Sequence, residues 1–180
     1  MSDNTPALNG AESLVTTLAA SGVNLCFANP GTSEMHFVAA LDRIAGVRCV
    51  LGLFEGVVTG AADAYYRMAG SPAATLLHLG PGLGNGWANL HNAGKARSGI
   101  VNVVGDHAID HARHESPLKS DAAAIAGEID RSLTVIALAA AGLCALAGAA
   151  VVVLLRRREA PPRAEAASAA ARLRARSQLA

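Results

Sequence analysis

The sequence predicts an α/β fold with a doubly wound parallel sheet, and three observations support this. Short apolar runs alternate with segments whose apolar residues recur at helical spacing. The runs are apolar along nearly their whole length, which is typical of parallel strands covered on both faces. The connections between the runs are long enough to hold a helix, as parallel strands require. We therefore expect a flavodoxin-like layering of helices on both sides of one sheet.

Strands and helices are expected in alternation along the first part of the chain. The predicted helices are residues 10–21, a second from a cap at Thr32 or Ser33 to about Ile44, residues 55–69, and about 85–95. The predicted strands are residues 23–28, 47–54, 73–80 and 99–106. A glycine-rich turn over residues 80–86 is expected before the last helix. Ligands of such sheets bind beyond the carboxyl ends of the strands.

The charge distribution divides the 180-residue chain in two. Residues 1–127 carry 7 Lys and Arg against 10 Asp and Glu, whereas residues 128–180 carry 8 Arg against 4 acids. The net charge of the whole chain is only +1, without the basic excess typical of nucleic-acid binders. We therefore expect no nucleic-acid partner, and a domain of residues 1–127 followed by a different kind of segment.

An uncharged apolar run covers residues 132–155 and ends at three consecutive arginines. As a helix its 24 residues would span roughly 36 Å, enough to cross the hydrocarbon core of a bilayer. The sequence thus predicts a long apolar C-terminal helix, with membrane association through residues 132–155; a buried helix of a larger enzyme is the alternative. Residues 128–131 are a connector, and residues 156–180 are an Ala/Arg-rich basic tail.

The flanks of this run leave its orientation open. The arginines after it favour a cytoplasmic C-terminus, yet the N-terminus of the chain does not resemble a signal peptide. The three cysteines, Cys26, Cys49 and Cys144, are odd in number and lie in apolar runs, which favours free thiols in a reducing compartment. We expect a cytoplasmic N-terminal domain, anchored by a single C-terminal helix if that helix spans a membrane.

Four blocks in the first part of the chain carry a family resemblance. Residues 29–37 (NPGTSEMHF), 54–70, 76–97 and 100–108 occur in this order. Together they resemble the N-terminal pyrimidine-binding domain of thiamine-diphosphate enzymes, in the acetolactate synthase and benzoylformate decarboxylase group. The resemblance covers about residues 8–127.

Glu55 is the central catalytic candidate that the resemblance implies. In the family, a glutamate at this position hydrogen-bonds a ring nitrogen of the cofactor's pyrimidine and so helps the cofactor to lose its thiazolium proton. Without the resemblance, the favoured explanation of Glu55 is an acidic residue in the first turn of a helix, where it complements the helix dipole.

His78 is the second catalytic candidate, because some family members carry an active-site histidine after the same strand. A hydrogen-bonded histidine at a strand end is the alternative. The cofactor-binding residues implied by the family loops are Pro30, Gly31 and Thr32 in the first, with Gly80, Pro81, Gly82 and Asn85 in the second. We expect Gly31 to adopt a left-handed conformation before its helix. The second loop does not match a dinucleotide-binding fingerprint.

His107, His111 and His114 have a spacing that would place them on one helical face. Their surroundings lack the glutamate of the H-E-x-x-H pattern, so a solvated connector is favoured over a metal site, and no metal ligands are predicted.

The resemblance also implies what such a domain needs from elsewhere. In the family, a second α/β domain binds the diphosphate and Mg²⁺, and nothing after Asp106 resembles it. We therefore expect a shared thiamine diphosphate site, Mg²⁺ held by a partner domain, and a homo- or hetero-oligomer with a chain bearing that domain. The implied function is part of a 2-oxo-acid decarboxylase or an acetolactate synthase-like carboligase. The alternatives are a non-catalytic membrane-tethered module and a truncated or fused gene product.

Overall fold

A computed structural model describes residues 8–111, 113–127 and 134–140. The helices are α1 (Gly10–Ala20), α2 (Met35–Arg43), α3 (Glu55–Ala69), α4 (Leu79–Ala96) and α5 (Ala122–Gly127). The strands are β1 (Leu25–Asn29), β2 (Arg48–Leu51), β3 (Ala73–Leu77), β4 (Ile100–Asp106) and β5 (Thr134–Ala140). A 3₁₀ turn, Thr32–Glu34, precedes α2.

The strands form one parallel sheet in the order β2-β1-β3-β4-β5. The chain leaves β1 toward β2 and then returns to the other side of β1 to form β3. The carboxyl ends of β1 and β3 therefore flank the point where the strand order reverses, and open α/β sheets bind ligands at such a point. The predicted parallel sheet with flanking helices is confirmed.

Helices cover both faces of the sheet. One core holds Val15 of α1 and Phe37 of α2, and the other holds Val58 of α3 and Leu90 of α4. Strand β3 serves both cores, since the successive residues Leu76 and Leu77 belong to opposite ones and both are fully buried. This double coverage explains why the strands read as continuous apolar runs.

Helix α3 runs over the predicted range and stops for a local reason. Gly70 follows it with φ +69° and donates its N–H to the Tyr66 carbonyl. A residue without a Cβ adopts this left-handed conformation at little cost, and it ends the helix.

Helix α4 differs from the prediction, because it begins at Leu79 and includes the residues expected to form a glycine-rich turn. Pro81 lies in its first turn, where the missing N–H would have no partner inside the helix in any case. The glycines are retained for contact: a Cβ on Gly82 or Gly86 would press against α3, at 2.9 Å from Glu55 Oε1 and 2.8 Å from Thr59 Cγ2 respectively. Gly82 and Gly86 therefore serve the packing of α4 against α3.

The predicted single helix over residues 132–155 is wrong for its first part. Thr134–Ala140 form strand β5, which pairs in parallel with β4 from Ile100↔Thr134 to Asp106↔Ala140. An apolar run of this length suits a strand as well as a helix, and here it covers the hydrogen-bonding edge of β4. The sheet thus continues past residue 127.

The rest of that run, residues 132–133 and 141–155, lies outside the described residues, as do the predicted connector, residues 128–131, and the basic tail. Within the described ranges, none of the helices has both the length and the apolar character needed to cross a membrane.

Candidate functional site

Three loops that the sequence singled out meet at one edge of the sheet. Strand β1 leads into Pro30 and Gly31, β2 is followed by Glu55, and β3 is followed by His78. Because the carboxyl ends of parallel strands lie at the same edge, the fold gathers these residues there.

Glu55 is the first residue of α3, and it is only 6% exposed. Asn85 Nδ2 on α4 donates to its Oε2 over 3.0 Å. Within the described part of the chain, no side chain donates to Oε1, which lies on the side of Gly82. Among the described residues, the carboxyl group is therefore held through one oxygen.

The close approach of α3 and α4 positions this pair. Thr59 Oγ1 on α3 lies 3.3 Å from the Gly86 carbonyl, and Asn89 Nδ2 on α4 donates to the Gly56 carbonyl over 2.6 Å. These contacts are possible because glycines at the interface let the two backbones come together. Asn85 lies one residue before Gly86, so the same packing sets its position against Glu55.

His78 is paired with a residue that the sequence analysis missed. Its Nδ1 lies 2.8 Å from Glu34 Oε2, and this oxygen also accepts the Gly31 N–H over 2.8 Å. The Glu34 side chain is 1% exposed and the His78 side chain 26% exposed. Since a carboxylate only accepts hydrogen bonds, Nδ1 carries the proton between them, and a neutral His78 has its lone pair on Nε2.

Two glycines make room for the Glu34 and His78 pair. A Cβ on Gly31 would overlap the His78 ring, and one on Gly105 of β4 would overlap Glu34 Oε1. Gly31 has φ −110°, so the expected left-handed conformation is wrong and the physical reason for glycine is the approach of the imidazole. Glu34 Oε1 is buried without a hydrogen-bond partner among the described residues.

The sequence offered only a weak signal for Glu34. A glutamate beside a helix start is usually explained by helix capping, and here the residue lies in the 3₁₀ turn before α2. A glycine inside an apolar strand, such as Gly105, is the signal that another group approaches closely.

The other predicted binding residues lie around these two pairs. Pro30 is half-buried and Thr32 is exposed at the start of the 3₁₀ turn. Gly80 is buried against Ser120, and Pro81 is exposed on the first turn of α4. That turn connects the two pairs, because the Gly82 N–H donates to the His78 carbonyl over 2.9 Å.

The three later histidines lie in the turns after β4. His111 and His114 are exposed with ring centroids 5.9 Å apart, while His107 is half-buried. In the described ranges, no group of three or more metal-ligating side chains comes together.

Comparison with known proteins agrees with this fold. Residues 8–132 match the family described as thiamine pyrophosphate enzyme, N-terminal TPP binding domain. A Mycobacterium tuberculosis protein named as an acetolactate synthase large subunit, IlvX, is 64% identical over 122 residues, or 68% of this chain and 24% of the relative. The benzoylformate decarboxylase of Pseudomonas aeruginosa is 39% identical over 84 residues, or 47% of this chain and 16% of the relative.

A solved structure shows the same likeness. The thiamine diphosphate-dependent 4-hydroxybenzoylformate decarboxylase of Rhodococcus jostii RHA1 superposes with a TM-score of 0.64 at 29% identity, covering 68% of this chain and 23% of that one. The match with this chain thus spans about a quarter of the length of the Mycobacterium tuberculosis relative. The family match covers well over half of the sequence. The chain therefore belongs to the thiamine pyrophosphate enzymes and carries their N-terminal TPP binding domain.

Proposed function

We propose that this domain holds the aminopyrimidine half of thiamine diphosphate, as part of a 2-oxo-acid decarboxylase or an acetolactate synthase-like carboligase. The observation that carries the proposal is the buried Glu55 carboxyl, whose Oε2 is held by Asn85 and whose Oε1 accepts no hydrogen bond from the described residues. The relatives, which are named as decarboxylases and an acetolactate synthase subunit, support the reaction class.

Glu55 fits the pyrimidine ring. A carboxyl that is buried at a strand end and held by one oxygen can exchange a proton with a ring nitrogen at the other oxygen. Asn85 keeps the carboxyl group oriented, and Gly82 leaves space beside it. When bound, thiamine diphosphate supplies the carbon nucleophile and the electron sink for chemistry at a 2-oxo acid.

His78 is the acid/base residue that we propose for the substrate. Glu34 fixes its Nδ1 and leaves Nε2 available to take up or deliver a proton. Glu34 is then a positioning residue, since it acts through His78.

We further propose that the diphosphate and Mg²⁺ are held by a diphosphate-binding domain of a second subunit. Exposed apolar side chains lie beside Glu55: Leu53 is 89% exposed, Phe54 49% and Val57 60%. A large apolar side chain that is this exposed next to a binding site is typical of a surface covered by a partner. We place this assembly in the cytoplasm, where the free thiols of Cys26 and Cys49 are stable.

The test combines the chain with a source of the partner domain. The part of the Mycobacterium tuberculosis relative outside the match would be supplied as a second chain, with thiamine diphosphate and Mg²⁺ titrated by calorimetry and 2-oxo-acid consumption followed. We expect cofactor binding by the pair and a loss of turnover of about 10²-fold or more in Glu55→Gln. The control is Glu115→Gln, which removes an 89% exposed carboxylate on a turn.

Two outcomes would contradict the proposal. One is the absence of cofactor binding in the mixed assembly, and the other is equal turnover in Glu55→Gln and Glu115→Gln.

A further inference from the structure

Cys26 and Cys49 are direct partners across the parallel pair of β1 and β2. Cys26 is fully buried in the core beneath α1 and α2, whereas Cys49 is exposed. Strand β2 lies at one end of the strand order, so Cys49 is on an edge strand that solvent reaches. Neither cysteine is among the residues proposed above to bind thiamine diphosphate.

The geometry of this pair suits a covalent bond between the two sulfur atoms. Partnered residues of neighbouring strands project to the same face, and the strands lie about 4.8 Å apart. This spacing is within the range of about 4.4 to 6.8 Å that separates the Cα atoms of disulfide-bonded cysteines.

The two neighbouring thiols differ in their reactivity toward oxidants. Interaction with the neighbouring Cys26 thiol lowers the pKa of the Cys49 thiol to about 7, while the same interaction and burial raise the pKa of Cys26. Thiolates, rather than thiols, react with oxidants, and the exposed residue has the larger thiolate fraction at neutral pH. An exposed nucleophilic thiol thus has a second thiol against it.

We propose that Cys49 and Cys26 form an oxidation-sensitive dithiol, in which the Cys49 thiolate first attacks hydrogen peroxide and Cys26 then closes a disulfide. In the first step the Cys49 thiolate takes one oxygen from the peroxide O–O bond and becomes a sulfenic acid, and the other oxygen leaves as water after protonation. In the second step the Cys26 sulfur displaces the hydroxyl group from Cys49, which leaves as water. The two thiols are oxidised by two electrons and one hydrogen peroxide is reduced to two waters.

The bond would join the edge strand β2 covalently to β1, whose end leads into Pro30 and Gly31. A thiol reductant would reverse it, as for other disulfides in reducing compartments.

The experiment treats the full chain with hydrogen peroxide and analyses it by intact mass and peptide mapping. We expect the loss of about 2 Da, a cross-linked peptide that contains Cys26 and Cys49, and restoration by a thiol reductant. Before oxidation, Cys49 should react with iodoacetamide at least about tenfold faster than Cys26.

Three variants separate the roles. In Cys26→Ser, Cys49 should stop at the sulfenic acid or proceed to the sulfinic acid, and Cys49→Ser should abolish the rapid oxidation. Cys144→Ser should still form the cross-link, since Cys144 is not part of the pair. The proposal is overturned if the folded wild-type chain accumulates Cys49 sulfinic acid without the cross-link, or if the cross-link joins Cys144 instead; both results come from the wild-type map and do not depend on a variant that folds.

Discussion

Glu34 Oε2 lies 2.8 Å from His78 Nδ1, although the two residues are 44 positions apart in the sequence. The contact joins the loop after β1 to the end of β3, the two strands that flank the point where the strand order reverses. The same oxygen accepts the Gly31 N–H, so one buried carboxylate organises both segments.

Replacement of the Glu34 carboxylate should remove the hydrogen bond that fixes the tautomer of His78. We expect Glu34→Gln to lower the free energy of unfolding by about 1 to 3 kcal/mol, because it removes a charged acceptor that serves two donors. Nitrogen NMR of the imidazole should show that the Nδ1–H form of neutral His78, favoured in the wild type, loses its preference. Urea unfolding measures the stability change.

Glu115→Gln is the matched control for this prediction, since Glu115 is 89% exposed and its contact with Lys119 is a surface ion pair. We expect it to change stability by less than about 0.5 kcal/mol. An unchanged His78 spectrum in Glu34→Gln would contradict the assigned role of Glu34.

The packing of α3 against α4 predicts that a Gly→Ala substitution has opposite effects on stability at two glycines of α4. A Cβ on Gly86 would lie 2.8 Å from Thr59 Cγ2, so Gly86→Ala should destabilise the fold by about 1 to 3 kcal/mol. Gly84 has nothing within 4 Å of its Cβ position, so Gly84→Ala should stabilise the helix by up to about 1 kcal/mol. Parallel urea titrations compare the two, and the same sign for both would refute the packing argument.

The buried pair of Thr75 on β3 and Asn102 on β4 should behave as a coupled unit. Thr75 Oγ1 donates to Asn102 Oδ1 over 2.6 Å, and both residues are fully buried. Thr75→Val should cost about 1 to 3 kcal/mol because it leaves the amide oxygen unpaired. In Thr75→Val/Asn102→Leu neither polar group remains, so the double variant should cost less than the sum of the single changes. Strict additivity would show that the pair is not coupled.

Asp63 should give the fold an acid-sensitive contribution to stability. Burial by itself raises the pKa of Asp63, but hydrogen bonds from Arg67 and Ser98 outweigh this and hold it below the ordinary value of 3.8. A carboxyl with a lowered pKa in the folded state stabilises fully above its unfolded value and loses the contribution as pH falls through the folded value.

The variant Asp63→Asn should therefore be less stable than the wild type by about 1 kcal/mol near pH 7, with the gap narrowing as the pH falls below 3.8. Denaturant unfolding at several pH values measures the gap. Asp110→Asn, which removes an exposed carboxylate, controls for the change in net charge. A gap that is constant through the acid range would contradict the role of Asp63.

Local pattern was enough to predict much of the fold. The four strands from β1 to β4 were expected from apolar runs, and α3 was expected over its observed range, because both signals depend on residues close in sequence. Glu55 and Asn85 were named from the family resemblance, and the structure places them 3.0 Å apart. Their assigned roles toward the cofactor remain a proposal.

The remaining features depended on contacts between distant residues. The glycine-rich segment was predicted to be a turn because the packing of α3 against Gly82 and Gly86 is not visible in the local sequence. Residues 134–140 were predicted to be helical because their pairing with the edge of β4 is not visible there either. Glu34 has no local pattern that marks it, since its partners come from other segments.

By itself, the sequence determined the alternating α/β class, the parallel sheet and the family, because these follow from periodicity and from linked motifs along the chain. Only the tertiary structure decided that Gly31 and Gly105 make room for a buried Glu34 against His78, and that Cys26 faces Cys49. The physical reason is that hydrogen bonding and close packing act through space, and a sheet brings together side chains from strands that lie far apart in the chain.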